Sequence, residues 1–280
     1  MVGVSSAAAQ WLANSNPAWT LYSLDLSTAS DFTGTLTSSA TLNSSAALQT
    51  LAPNTTWYAR VLAVNNNGVP SAYTGLGSTI TLASQPGAVS AVFAPVWASS
   101  LTVNFSSGTP PNPAGTAYQV RLSSFSDFNV YAASTTANLY ADFTGLAVNT
   151  TWFAVARAQN YSGSLTDFTD LSSSATLAVA PGIPVSTYSN LTANSFTLAW
   201  SSGSAAAGYN PGGTKYAAQI STDSGFTGDI IENIAASTST EVGGLVRVEE
   251  RESAVVDDAE VSGDRLRDLD PAPSGRAREI

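Results

Sequence analysis

One block of sequence occurs three times in this chain, and that repetition limits the possible folds more than any other feature. The block opens with Asn-Pro at Asn16-Pro17, Asn112-Pro113 and Asn210-Pro211. Each Asn-Pro is followed by Tyr and then an alternating apolar run: Tyr22 to Leu26, Tyr118 to Leu122 and Tyr216 to Ile220. Asn-Pro is a turn signal, and apolar residues on alternate positions read as a strand. A second block, Leu-Ala-x-Asn-Thr-Thr-Trp, stands at Leu51–Trp57 and again at Leu146–Trp152. A third block marks the joints, Thr81-Leu82-Ala83 through Pro86-Gly87 and Thr176-Leu177-Ala178 through Pro181-Gly182. Blocks recurring about every 95 residues, with turns between short alternating runs, predict a series of small all-β units.

The residues inside the blocks suggest where each core lies. Trp11, Phe105 and Trp200 each end an apolar run ahead of the Asn-Pro turn. The gap between this aromatic and the turn widens from copy to copy, as loops do while strands stay fixed. Trp57 and Trp152 are followed on alternate positions by small residues: Ala59, Val61 and Ala63, then Ala154, Ala156 and Ala158. A large ring beside small neighbours keeps core volume near constant. The predicted core aromatics are therefore Trp11, Tyr22, Trp57, Phe105, Tyr118, Trp152, Trp200 and Tyr216.

Leu-x-Pro-x-Thr-x-Trp followed by alternating small residues and then Asn and Gly resembles the E–F corner and strand F of a fibronectin type III domain. The runs ending at Trp11, Phe105 and Trp200 resemble that family's strand B. The resemblance implies tandem immunoglobulin-like or fibronectin type III β-sandwiches over about residues 4–245. It departs from the family pattern at the corner, where Trp57 and Trp152 replace a tyrosine whose hydroxyl bonds back to the backbone. An indole N–H donates but does not accept, so that bond must be replaced or carried by water.

Four segments are expected. Residues 1–85 form a repeat lacking its first strand, 86–180 a complete repeat, 181–245 a repeat without strands F and G, and 246–280 a charged tail. The tail holds six Arg and ten Asp or Glu, over half of the charge in the chain. Such density with few apolar residues predicts disorder, and a gene fragment or shifted frame would account for its departure from the repeat.

Composition narrows function. The chain has no Cys and no His, which removes disulfides, thiolate metal sites, Ser-His-Asp triads and histidine switches. A net charge of −10 with Lys215 as the one lysine argues against nucleic-acid binding. No apolar run of about 20 residues is present to span a bilayer. No Walker, Gly-x-Ser-x-Gly, dinucleotide-binding or EF-hand motif occurs, so no cofactor or metal is expected. Asp31 and Asp127 hold equivalent repeat positions and read as turn caps, and Asp167 and Asp170 as loop residues rather than an acid–base pair. Asn54, Asn104 and Asn149 lie in Asn-x-Ser/Thr sequences that arise by chance in so polar a chain. Trp19 and Trp97 are the two aromatics placed to stack on a ligand such as a sugar.

The resemblance implies a non-enzymatic spacer of a large secreted or cell-surface, bacterial repeat protein, monomeric within its array. The alternatives are adhesion to a cell-surface glycan or protein and an accessory segment of an extracellular hydrolase.

Overall fold

The computed structural model describes residues 1–245, and every regular element in them is a β-strand. The expectations for the charged tail, and for strands F and G of the third repeat, fall on residues 246–280, outside the described residues.

The second repeat shows the full plan. Its strands are β7 (Phe93–Val96), β8 (Ser100–Asn104), β9 (Ala117–Ser123), β10 (Ala132–Thr136), β11 (Tyr140–Thr144), β12 (Thr151–Gln159) and β13 (Thr169–Ala175). One antiparallel sheet has the order β11-β8-β7 and the other β10-β9-β12-β13. In family lettering these are E-B-A and C′-C-F-G. Strict alternation makes this inevitable: β9 reads half-buried, buried, half-buried along Ala117 to Leu122, so one face of each sheet is apolar and must be covered. Leu101, Val103 and Phe105 with Ala141 and Phe143 come from one sheet. Tyr118, Val120, Leu122, Ala154, Ala156, Ala158 and Leu171 come from the other, and the two sets close one core.

The first repeat keeps the four-stranded sheet. Its strands are β1 (Ala7–Gln10), β2 (Leu21–Ser27), β3 (Leu36–Thr41), β4 (Ser45–Leu48), β5 (Thr56–Val64) and β6 (Thr74–Ile80). They order as β3-β2-β5-β6, facing a two-stranded sheet of β1 and β4. Met1 and Val2 stand where the second repeat has Pro95 and Val96: Val2 bridges Ala7 as Val96 pairs with Leu101.

The third repeat has β14 (Tyr188–Ser189), β15 (Phe196–Ala199), β16 (Gly203–Ser204), β17 (Gly208–Tyr209), β18 (Tyr216–Ser221), β19 (Ile230–Ala235) and β20 (Ser239–Val242). Sheet β14-β15-β20 matches A-B-E, and β18 pairs β19 as C pairs C′. Tyr216 and Val242 are its buried apolar residues among those described.

The same aromatic pair spans the two sheets of every repeat. Trp11 meets Tyr22 with centroids 5.6 Å apart, Phe105 meets Tyr118 at 5.1 Å and Trp200 meets Tyr216 at 5.6 Å, all at interplanar angles near 60°. Such edge-to-face contacts add about 0.5–1.5 kcal/mol beyond burial.

Of the eight aromatics assigned to the core, Tyr22, Trp57, Phe105, Tyr118 and Tyr216 are buried. Trp11, Trp152 and Trp200 are half-buried, with their indole nitrogens enclosed. Trp is rarely enclosed completely because of its size. Replacing Trp57 by Ala removes an enclosed ring and should lower the opening free energy of the first repeat by about 3–5 kcal/mol. Trp152→Ala should cost the second repeat less. Amide exchange of Leu24 and Val61, compared with that of Val120 and Ala156, measures both in the full chain; equal losses would contradict the difference in burial.

Candidate functional site

Side chains with specific, recurring partners gather where one repeat meets the next, so the joints are the site this structure builds with most detail. The corner between β4 and β5 places Asn54 in the left-handed region at φ 45°, and the corner between β11 and β12 does the same to Asn149 at φ 44°. Asn is among the few residues with a Cβ that tolerate this conformation. Its amide then projects beyond its own repeat.

At the first joint Asn54 is fully buried. Its Nδ2 donates to Thr116 Oγ1 at 2.8 Å, and its Oδ1 accepts from the Tyr161 N–H at 2.7 Å. Thr116 is held ready because its own hydroxyl donates to Pro113 O at 2.7 Å. At the second joint Asn149 Nδ2 donates to Thr214 Oγ1, again at 2.8 Å, and Thr214 donates to Pro211 O at 2.7 Å.

A second amide clamps the connecting strand. Asn112 accepts from the Ser84 N–H at 2.7 Å and donates to Ser84 O at 2.8 Å. Asn210 treats Val179 identically, at 2.9 and 2.8 Å. Asn160 Nδ2 adds a bond to Thr81 O at 3.2 Å. The Asn-Pro turns therefore grip the preceding repeat as well as reversing the chain.

The corner is pinned by threonine where the family uses tyrosine. Thr81 Oγ1 donates to Ala52 O at 2.7 Å and accepts from the Thr55 N–H at 3.0 Å. Thr176 repeats this with Ala147 O at 2.6 Å and the Thr150 N–H at 3.0 Å. The indole Nε1 atoms of Trp57 and Trp152 are buried and have no hydrogen-bond partner among the described residues. The Trp rings therefore supply volume, and the hydroxyls supply the bond.

Trp19 and Trp97 do not share a surface. Trp19 is 66% exposed on the turn between Pro17 and Thr20, beside Asn65 and Asn66. Trp97, 59% exposed, lies at the opposite end of its own repeat in the turn from β7 to β8, where its carbonyl accepts from the Leu177 N–H.

The charged groups act locally. Arg60 bonds Asp25 at 3.2 Å and lies between the rings of Phe32 and Tyr73, 4.0 and 3.7 Å from their centroids. Arg121 sits likewise between Tyr131 and Phe168. Asp31 caps its turn through the Thr33 N–H and hydroxyl, and Asp127 through the Asn129 N–H. Asp170 accepts from the Ser172 N–H at the bulge of β13, and Asp167 is exposed. Among the described residues no group of three or more Asp or Glu is placed to hold a metal. No helix among them is long and apolar enough to cross a membrane. The Asn-x-Ser/Thr sequences carry structure: beyond Asn54 and Asn149, Asn104 donates to Ala94 O at 2.8 Å.

No family model matches the chain. No curated protein matches it. Among solved structures it is similar to a two-domain fibronectin type III segment of chicken tenascin, with 14% identity and a TM-score of 0.46, over 63% of this chain and 95% of that one. It is also similar to domains FN1–FN3 of chicken CNTN1, with 14% identity and a TM-score of 0.33, over 88% of this chain and 86% of that one. The strand order itself makes the chain a tandem of fibronectin type III-like sandwiches.

The third repeat's turn gives a pH test. Asp223 accepts from the Thr227 hydroxyl and from the Gly225 and Thr227 N–H groups, and these hold its carboxyl down from 3.8 to about 2. A carboxylate with a lowered folded value supports the turn above the ordinary range and releases it as pH falls toward that lowered value. Carbon-detected titration of Asp223 should give a midpoint near 2, and Thr227→Val should move it toward 3.8.

Proposed function

We propose that this chain is a non-catalytic spacer from an extracellular or cell-surface repeat protein, whose task is to hold successive sandwiches at a set relation to one another. The observation that carries this reading is the recurrence of one joint: Asn54 to Thr116 and Asn149 to Thr214, each at 2.8 Å. A mere tether needs no specific bonds across it, and polar Pro-Gly linkers suffice. Here a left-handed Asn, a Thr and a clamping Asn are spent at both joints. The polar, weakly charged composition and the absence of Cys and His suit a module that carries load or distance rather than chemistry.

A second reading, adhesion to a cell-surface glycan or protein, is favoured by the exposure of Trp19 and Trp97. Stacking on a sugar ring needs a flat exposed indole, and both residues offer one. They lie on different repeats and at opposite ends, so each would act alone.

Asn54→Ala tests the spacer reading. It removes two bonds and places Ala at φ 45°. The Tyr161 amide should then exchange about tenfold faster, the factor that one lost net hydrogen bond supplies. Residual dipolar couplings should show the first and second repeats averaging over a wider range, with each repeat still folded. Unchanged couplings and an unchanged Tyr161 would leave the joint without a mechanical role.

A further inference from the structure

The surface that receives a corner in the second and third repeats has a counterpart on the first. In the second repeat the receiving groups are Thr116 Oγ1, the Tyr161 N–H, the Asn160 amide and the Asn112 amide. Their counterparts in the first repeat are Thr20, Asn66, Asn65 and Asn16. The local geometry confirms the correspondence. The Thr20 N–H donates to Pro17 O at 3.0 Å, as Thr116 does to Pro113 O and Thr214 to Pro211 O, both at 3.3 Å. Asn65 Oδ1 accepts from the Asn67 and Val69 N–H groups, as Asn160 Oδ1 does from Ser162 and Ser164.

These four residues, with Pro17 and Trp19, line one cleft of about 380 Å³. Thr20 is buried within its own turn at 8% exposure, so it is Asn16 that separates this cleft from its counterparts. Asn112 and Asn210 are 7% and 6% exposed beneath the preceding segment, whereas Asn16 is exposed. An aromatic ring borders the receiving face in both cases but comes from different loops. In the second repeat Tyr161 reaches across the turn to Ala114 O at 3.1 Å, beside Gly115. In the first, Trp19 takes the place of Gly115 and Asn66 that of Tyr161.

We propose that this cleft docks the corner of a further copy of the same repeat, a segment of the form Leu51–Thr55, with its left-handed Asn held between Thr20 Oγ1 and the Asn66 N–H. The chemistry selects the occupant. The cleft sets the Thr20 hydroxyl beside the Asn66 N–H, and a primary amide uses both, donating its N–H to the hydroxyl oxygen and accepting from the N–H with its carbonyl. At Thr116 and Thr214 the hydroxyl proton is already given to a proline carbonyl, and an amide entering the cleft would call for the same at Thr20. Asn16 supplies the second amide, for the backbone of the incoming connecting strand. Trp19 then serves as a wall of a joint. The inference rests on the reading that Asn54 and Asn149 fix the joints.

The full chain preceded in frame by a second copy of residues 1–94 tests it. Met1 stands at the position of Pro95, so the Ala94 of the added copy runs into the resident Met1 in register. Gly3 shows this: it donates to Ser6 O and accepts from Leu82, as Trp97 donates to Ser100 O and accepts from Leu177. The resident Asn66 amide should exchange about tenfold more slowly than in the unextended chain. Asn54→Ala in the added copy alone should restore the fast rate. Residual dipolar couplings should give the added and resident first repeats the same mutual orientation as the first and second repeats of the unextended chain. An unprotected Asn66 with independently tumbling repeats overturns the proposal, as does Asn66 protection that rises with concentration in the unextended chain. Saturable binding of a soluble glycan lost in Trp19→Ala, with Asn66 unprotected in the extended protein, also overturns it and gives the face to a sugar. The resident Tyr161 separates the two levels: if it responds to Asn54→Ala in the resident repeat while Asn66 stays unprotected, this inference fails and the spacer reading stands.

Discussion

Each sandwich depends on one contact across its two sheets, the edge-to-face pair between the aromatic at the end of strand B and the Tyr at the start of strand C. Trp11 with Tyr22, Phe105 with Tyr118, and Trp200 with Tyr216 keep this geometry although the loop between them changes length. Two rings at that point set the separation of the sheets, and the remaining inward residues fill the space left over. In the second repeat that filling is Leu, Val and Phe on one side and a ladder of Ala154, Ala156 and Ala158 on the other. Three small side chains in a row on β12 let the aromatics crowd against it. Enlarging one would force the sheets apart, and close-packed interiors resist this.

The corner shows how a fold keeps a constraint while changing the residue that supplies it. A tyrosine corner uses one side chain for volume and for a hydrogen bond. Here the two tasks are divided. Trp57 and Trp152 fill volume, and their N–H groups have no partner among the described residues. Thr81 and Thr176, some 25 residues onward in sequence, bind the corner carbonyl and N–H. The two threonines occupy the joint blocks, so the residue that pins the corner also begins the connection to the next repeat. Thr81 O in turn accepts from Asn160 of that repeat. Corner and joint are mechanically one structure, and Asn54 sits between them.

The parts of this architecture legible in the sequence are those that depend on period. Alternation gave away β2, β9 and β18, and the recurrence of Trp with small partners marked β5 and β12. The joint was not legible by that route because its residues look like ordinary loop residues one at a time. Asn112 reads as a turn former and is one, yet its amide also clamps Ser84. Asn54 and Asn149 read as chance glycosylation sequences, but Asn54 is enclosed in the fold and has both amide atoms engaged. The available signal was co-recurrence: Asn54 with Thr116 and Asn149 with Thr214 keep nearly the same separation. Pairing such distant polar residues requires knowing that the end of one sandwich abuts the start of the next, which no local pattern encodes. In sequence Trp19 reads as an aromatic placed to stack on a ligand, and its setting beside Asn65 and Asn66 appears only once loops from two strand pairs are brought together.

A joint made of neutral amides and hydroxyls has properties that an ionic joint lacks. Salt screens exposed ion pairs over about 8 Å at physiological strength, and carboxylates and imidazoles change charge with pH. None of the groups across these joints titrates, and none carries a charge to be screened. Their energy lies in directional bonds shielded by the adjoining ends of the repeats, with Pro53 and Asn54 buried at the first joint and Val148 packed beside Gly208 at the second. The same chain carries Asp25–Arg60 and its aromatic neighbours on the outer face of a sheet, away from the joints. The relation between repeats is given to groups whose interactions stay constant as salt and pH change.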